Sequence, residues 1–180
     1  MVAPLLLWYP CMHLFFYLAG TIGTATAQKL DILFPENFKG KAIVISEMPC
    51  GEAIEIIDNR EQLRIPENGI LLYKGKLNPG YVNNRYFKID KSGNKTEMPL
   101  LGNHMYWDDL EDKPSGSEVE IWLNGGGTKY NPGPNGGVKY SFREFVVSSK
   151  DSLKQWSKVK RSGKLGKLTD SLVKRCIDTN

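Results

Sequence analysis

Lys41-Ala42-Ile43-Val44-Ile45-Ser46, then Pro49-Cys50-Gly51, then Glu52-Ala53-Ile54-Glu55-Ile56-Ile57: two short apolar runs parted by a turn set a cadence that repeats down the chain. Runs of this length, rich in β-branched residues and bounded by Gly, Pro, Asn or Asp, read as strands. Working outward, further strands fall at residues 62–65, 69–73, 85–89, 95–98, 118–123 and 138–148. Pro66-Glu67-Asn68-Gly69, Asn78-Pro79-Gly80 and Lys91-Ser92-Gly93-Asn94 supply the turns between them. Eight short strands at this spacing predict an all-β fold, an antiparallel β-sandwich of about seven to eight strands or a barrel. In 118–123, Glu118, Glu120 and Trp122 alternate with Val119, Ile121 and Leu123, so this strand is expected to keep one face wet. Residues 28–40 read as a short polar lead-in.

The chain has 180 residues and 41% hydrophobic residues, the range of one globular domain and outside that of collagen-like or wholly disordered chains. Its first 27 residues hold no Asp, Glu, Lys or Arg and carry an apolar run that ends in Ala25-Thr26-Ala27. This predicts a signal peptide over 1–27 and an exported protein, periplasmic or secreted. The alternative is an uncleaved N-terminal membrane anchor, since residues 5–23 approach the roughly 20 needed to span a bilayer. Leu18-Ala19-Gly20 resembles the start of a lipobox, but Thr21 stands where the lipid-bearing cysteine belongs.

Beyond the leader, a β-sandwich domain is expected over 28–149 and a basic, partly helical tail over 150–180. Residues 139–180 hold 11 basic against 4 acidic residues, whereas 28–138 hold 13 against 16. Ser148 with Asp151 predicts a capped helix start, with Leu153, Trp156 and Val159 along one side. Leu165, Leu168, Leu172 and Cys176 recur at helical spacing and predict a second short helix docked on a sheet. Cys50 and Cys176 remain once Cys11 leaves with the leader. They are a candidate disulfide in an oxidising compartment, the alternative being two separate thiols with Cys50 in the core.

Phe38-Lys39-Gly40-Lys41-Ala42-Ile43-Val44-Ile45, Cys50-Gly51, Ile65-Pro66-Glu67-Asn68-Gly69-Ile70-Leu71 and Asn84-Arg85-Tyr86-Phe87-Lys88-Ile89-Asp90-Lys91-Ser92-Gly93-Asn94-Lys95-Thr96 occur in one order. Together they resemble an uncharacterised family of small exported bacterial β-sandwich domains of unknown function. The resemblance covers roughly residues 38–147 and implies a fold and an exported setting. It carries over no catalytic or binding residue.

Several stretches invite a chemical reading. Asn124-Gly125-Gly126-Gly127-Thr128-Lys129 through Gly136-Gly137 could offer amides to an anion. The Gly-Lys-Ser/Thr order and following helix of a phosphate loop are absent, so a connection between two strands is expected. His104, Asp108, Asp109, Glu111 and Asp112 hold carboxylates and an imidazole that could serve a metal or acid–base chemistry, yet successive acidic residues are usually a solvated connection. Asp90, Ser92 and Asn94 mimic the opening of a calcium loop, but Lys95 and Leu101 replace its glycine and closing glutamate, and a hairpin turn explains them better. His104 as the sole imidazole beyond the leader limits Ser-His-Asp and multi-His zinc mechanisms.

No catalytic residue, metal ligand set or cofactor is therefore assigned. The expected function is an exported, non-catalytic binding or accessory module of the cell envelope, with an envelope protein or glycan as partner. Tyr81, Tyr106, Trp107 and Tyr130 are its candidate contact aromatics, because they fall in predicted loops. Nucleic acid is not expected for an exported chain without a base-reading motif, and membrane contact is expected only through an uncleaved leader or the basic tail. The alternatives are a carboxylate-dependent hydrolase of an extracellular polymer, using 108–112, and a structural assembly subunit.

Overall fold

Gln28-Lys29-Leu30-Asp31-Ile32-Leu33-Phe34-Pro35 organises the molecule. The structure is a computed structural model that describes residues 11–18, 27–78, 82–100, 119–131, 138–157 and 164–178. In it the stretch expected to be a polar lead-in is strand β1 (Gln28–Pro35), the middle strand of a five-stranded sheet. Leu30, Ile32 and Phe34 alternate onto one face and are fully buried, each contributing roughly 1.5–3 kcal/mol. Asp31 and Leu33 point the other way and are buried as well, which is why the alternation reads poorly from polarity alone.

The other strands are β2 (Gly40–Ile45), β3 (Glu55–Ile57), β4 (Arg60–Arg64), β5 (Ile70–Leu72), β6 (Val82–Ile89), β7 (Lys95–Glu97), β8 (Glu120–Asn131) and β9 (Val138–Ser148). Sheet A runs β3-β4-β1-β6-β7 and sheet B runs β5-β2-β9-β8. The fold is mostly β, as expected, but both sheets are mixed rather than antiparallel. β1 lies parallel to β4 and to β6, and β2 parallel to β5. Turn signals announce hairpins between consecutive strands, whereas parallel neighbours need a crossover. After β1 the chain crosses to sheet B for β2 and returns only at β3, so each neighbour of β1 is remote in sequence.

The consecutive pairs β3–β4, β6–β7 and β8–β9 are antiparallel. Asp58 and Asn59 join the first with φ of 51° and 58°, the left-handed pair that a two-residue hairpin of this twist demands. Asp90 to Asn94 joins the second. Asp90 Oδ1 accepts the Ser92 and Asn94 amides at 2.8 and 2.9 Å, and Oδ2 accepts the Asn94 side-chain amide at 2.8 Å. The oxygens that resembled calcium ligands thus close a hairpin turn, and these hydrogen bonds, led by that from Asn94, hold the Asp90 carboxyl below its ordinary range.

The inner faces meet in one core, where Leu30, Ile32, Phe34, Leu63 and Tyr86 of sheet A pack with Ala42, Val44, Leu71, Ile121, Phe145 and Val147 of sheet B. Phe34 and Tyr86 both stand edge-on to Phe145. At one side the buried Tyr73 hydroxyl donates to Glu61, and at the other Leu100 bridges to Ile121, so the chain ties the layers at both margins.

β8 departs twice from expectation. It continues through the glycines to Asn131, where a connection was expected from 124 onward, and pairs with β9 along its whole length after a bulge between Leu123 and Gly125. A Cβ on Gly126 would stand 2.9 Å from the Phe142 carbonyl oxygen, so glycine fits the close approach of β9. The face expected to be wet is not so at Trp122, which is 2% exposed and donates its indole N–H to the Ser148 carbonyl at 3.0 Å.

Residues 11–18 form helix α1; the described residues contain no helix long and apolar enough to cross a membrane. Helix α2 (Lys150–Ser157) begins after Ser149, whose carbonyl accepts the Ser152 amide at 3.1 Å, and Ser148 belongs to β9. Helix α3 (Lys164–Asp178) runs through Gly166 and covers the outer face of sheet B. Val173 and Cys176, with Leu165, Leu172 and Ile177, pack on Ile43, Ile45, Ile70, Tyr140 and Phe142, whereas Leu168, expected in the stripe, is 39% exposed. The disulfide Cys50–Cys176 fastens α3 to the turn after β2.

Candidate functional site

Two polar clusters interrupt the apolar layers, and they differ in whether their hydrogen bonds are complete. The first is centred on Asp31 and lies on the outer face of sheet A, where register sets Asp31 between Gln62 of β4 and Arg85 of β6. Arg85 Nε and Nη2 donate to the two carboxylate oxygens at 2.9 and 2.8 Å, Arg60 Nε donates to Oδ1, and Gln62 Nε2 donates to Oδ2 at 3.1 Å. Arg60 Nη2 also donates to the Leu30 carbonyl at 2.9 Å, and Lys95 Nζ to Gln62 Oε1 at 2.7 Å. Burial pushes the Asp31 carboxyl up, but hydrogen bonds from Arg85, Arg60 and Gln62 and the Arg60 charge outweigh it and hold the group at about 2. Such a carboxylate stays ionised across the physiological range and carries no exchangeable proton there. The cluster fastens β1 between its neighbours.

The second cluster lies between the sheets. Period 2 along β9 puts Arg143 on the same face as Phe145 and Val147, so a guanidinium points into the interlayer space. Register sets it between Val44 of β2 and Gly126 of β8. From sheet A, Asn84 and Tyr86 of β6 face it by the same alternation, since their register partners Leu30 and Ile32 are core residues. Asn84 Nδ2 donates to the Tyr86 hydroxyl at 3.3 Å, and Arg143 Nη2 donates to the exposed Asn78 carbonyl at 3.1 Å. The guanidinium therefore extends from the surface inward.

Its inner edge is incomplete. Arg143 Nη1, a donor, and Asn84 Oδ1, an acceptor, are buried and have no hydrogen-bond partner among the described residues. Leaving such a group unmade costs about 1–3 kcal/mol, more when it is charged. Burial pulls the Arg143 guanidinium below its ordinary value, and burial likewise pushes the Tyr86 phenol up, against smaller opposing effects of Asn84 and Arg143. The pair stays cationic and neutral respectively at physiological pH. Arrayed together are an N–H donor with positive charge, a phenolic O–H and an amide carbonyl.

The glycine-rich stretch flanks this site as β8. Gly125, at the bulge, has φ of 127° and open space where a side chain would be. Of the four candidate contact aromatics, Tyr130 is found on β8, not in a loop. It is 60% exposed and shares by alternation the face of Gly126 and Arg143. Tyr81, Tyr106 and Trp107 lie outside the described residues, as do His104 and the carboxylates of 108–112. Among the described residues no group of three or more His, Cys, Asp or Glu is arranged to hold a metal.

Sequence reading missed Arg143, Asn84 and Tyr86. The available signal was phase: in Ser141-Phe142-Arg143-Glu144-Phe145 the arginine is in step with Phe145, and a charge in step with the core side of a strand marks a buried polar site.

Comparison with known proteins follows the fold. A crystal structure described as that of a "Putative Lipoprotein from Bacillus anthracis" superposes with a TM-score of 0.57 at 16% identity, covering 84% of this chain and 96% of that one. No curated protein matches the sequence. The model of the family of unknown function DUF6843 matches residues 27–156, a span that takes in both sheets, Asn84, Tyr86 and Arg143; the chain belongs to that family.

Proposed function

We propose that the protein is an exported, non-catalytic binding module of the cell envelope whose ligand or partner is held at the polar cluster of Arg143, Asn84 and Tyr86 between the sheets. The observation that carries this reading is the pair of buried, unpartnered groups, Arg143 Nη1 and Asn84 Oδ1, on facing layers. A donor and an acceptor kept unpaired at a cost to stability are complementary to something that supplies the missing acceptor and donor. The uncharged leader and the fold likeness to a structure described as a lipoprotein support the envelope as its setting.

The test is photo-cross-linking in the native cells with a reactive residue at position 130, on the face shared with Arg143. One defined adduct in the envelope fraction, on a chain beginning at Gln28 and weakened by Arg143→Gln, is the expected result. A full-length chain in the soluble cytosolic fraction, or an adduct pattern indifferent to Arg143→Gln, would overturn it.

A further inference from the structure

From the chemistry of this polar cluster we infer that it takes the carboxylate of an N-acylated amino acid, such as a peptide C-terminus. The inference rests on the binding reading above and adds the ligand class. Three groups define it. Arg143 supplies one inward N–H with a full positive charge. The Tyr86 hydroxyl accepts from Asn84, which leaves its own proton to donate. Asn84 Oδ1 needs a donor.

A carboxylate has two oxygens, one for Arg143 Nη1–H and one for the Tyr86 O–H, and its single negative charge matches the single guanidinium. A phosphate dianion would bring more charge than these three groups answer. The remaining acceptor then selects what is attached to the carboxylate. An N–H on the adjacent carbon, which every N-acyl amino acid carries, is the donor that Asn84 Oδ1 lacks.

The experiment is titration of the full-length oxidised protein, followed by the arginine Nε–Hε resonances in NMR, with N-acetylglycine, acetate, N-acetylglycinamide and inorganic phosphate as probes. N-acetylglycine is expected to shift the Arg143 resonance saturably and to bind about tenfold more tightly than acetate. The amide, lacking the charge, and phosphate are expected to give no saturable shift. Arg143→Gln should abolish the response. Asn84→Ala should bring N-acetylglycine and acetate to the same affinity, a result that does not depend on Arg143→Gln remaining folded. Equal affinity for acetate and N-acetylglycine, tighter binding of phosphate, or no saturation with any probe would overturn the assignment. If N-acetylglycine binds as stated while cross-linking yields no envelope adduct, the site stands and the envelope role fails; an adduct without carboxylate binding keeps the envelope role and overturns the ligand class.

Discussion

Asp31 shows how one residue in a central strand can set both position and pH response. Its carboxylate pairs with two guanidiniums that would otherwise be left without it on the face of β1, one buried and one half-exposed. Asp31→Asn is expected to destabilise the fold by about 3 kcal/mol at pH 7, because removing one partner of a buried pair strands the other. The pH dependence follows from a folded value of about 2 beneath an unfolded value near 3.8. This depressed group contributes stability that is full above the unfolded value and is lost as pH falls through the folded one, some 2 kcal/mol in all. Urea unfolding of both proteins between pH 7 and pH 2 should therefore show the gap closing only below about pH 4. A gap independent of pH would mean the ion pairs contribute nothing. Two glycines with left-handed φ make a second residue-scale test. A Cβ on Gly69 (φ 76°) would lie 2.6 Å from the Lys41 carbonyl oxygen, whereas one on Gly93 (φ 88°) meets nothing within 4 Å. Gly93→Ala should cost about 1 kcal/mol for the backbone alone, and Gly69→Ala at least about 1 kcal/mol more, read from urea midpoints.

At the scale of elements, legibility tracked how local the cause was. β2, β4, β5 and β9 could be read because apolar runs and turn residues are neighbours in sequence, and the Asp90 hairpin because its hydrogen bonds span four residues. β1 was lost because its partner strands β4 and β6 lie far along the chain and supply the arginines, Arg60 and Arg85, that pair with Asp31. β8 was cut short because glycine signals a turn unless a partner strand is known to need the closeness, as Phe142 does at Gly126. The polar cluster of Arg143, Asn84 and Tyr86 needed both layers at once, and no stretch of sequence contains both. The helical stripe of α3 was legible in period but not in phase, since Thr169, with its hydroxyl on the Leu165 carbonyl, turned inward in place of Leu168. α3 also carries the disulfide, which closes a separation of 126 residues. The chain-entropy relation makes such a closure worth roughly 4–5 kcal/mol. Reduction should lower stability by that order. Hydrogen exchange followed by mass spectrometry should then show α3 amides opening in a step of their own while β1 and β6 stay protected. Simultaneous opening of α3 and β1 would show that the helix is no separate unit.

The whole molecule combines three local hairpins with three parallel pairings that only long crossovers can make, and this division ought to appear in its folding kinetics. The β3–β4, β6–β7 and β8–β9 pairs close short loops, whereas β1 can be hydrogen-bonded on both sides only after β4 and β6 have been placed. Closing long loops is entropically unfavourable before the contacts that reward it exist, so chains rich in distant pairings fold in milliseconds to seconds. The long β8–β9 ladder, whose register runs from Glu120 opposite Ser148 to Asn131 opposite Val138, is the natural nucleus. Val146→Ala on β9 and Ile32→Val on β1 remove buried methyl groups at these two positions, both sites being fully buried. With the disulfide intact in each, Val146→Ala should slow refolding, with a φ value above about 0.5. Ile32→Val should leave refolding nearly unchanged and speed unfolding, with φ near zero. Stopped-flow chevrons of both variants decide the matter. The reverse order would place the parallel sheet in the nucleus and make the remote pairing of β1, not the β8–β9 ladder, the event that commits the chain to its fold.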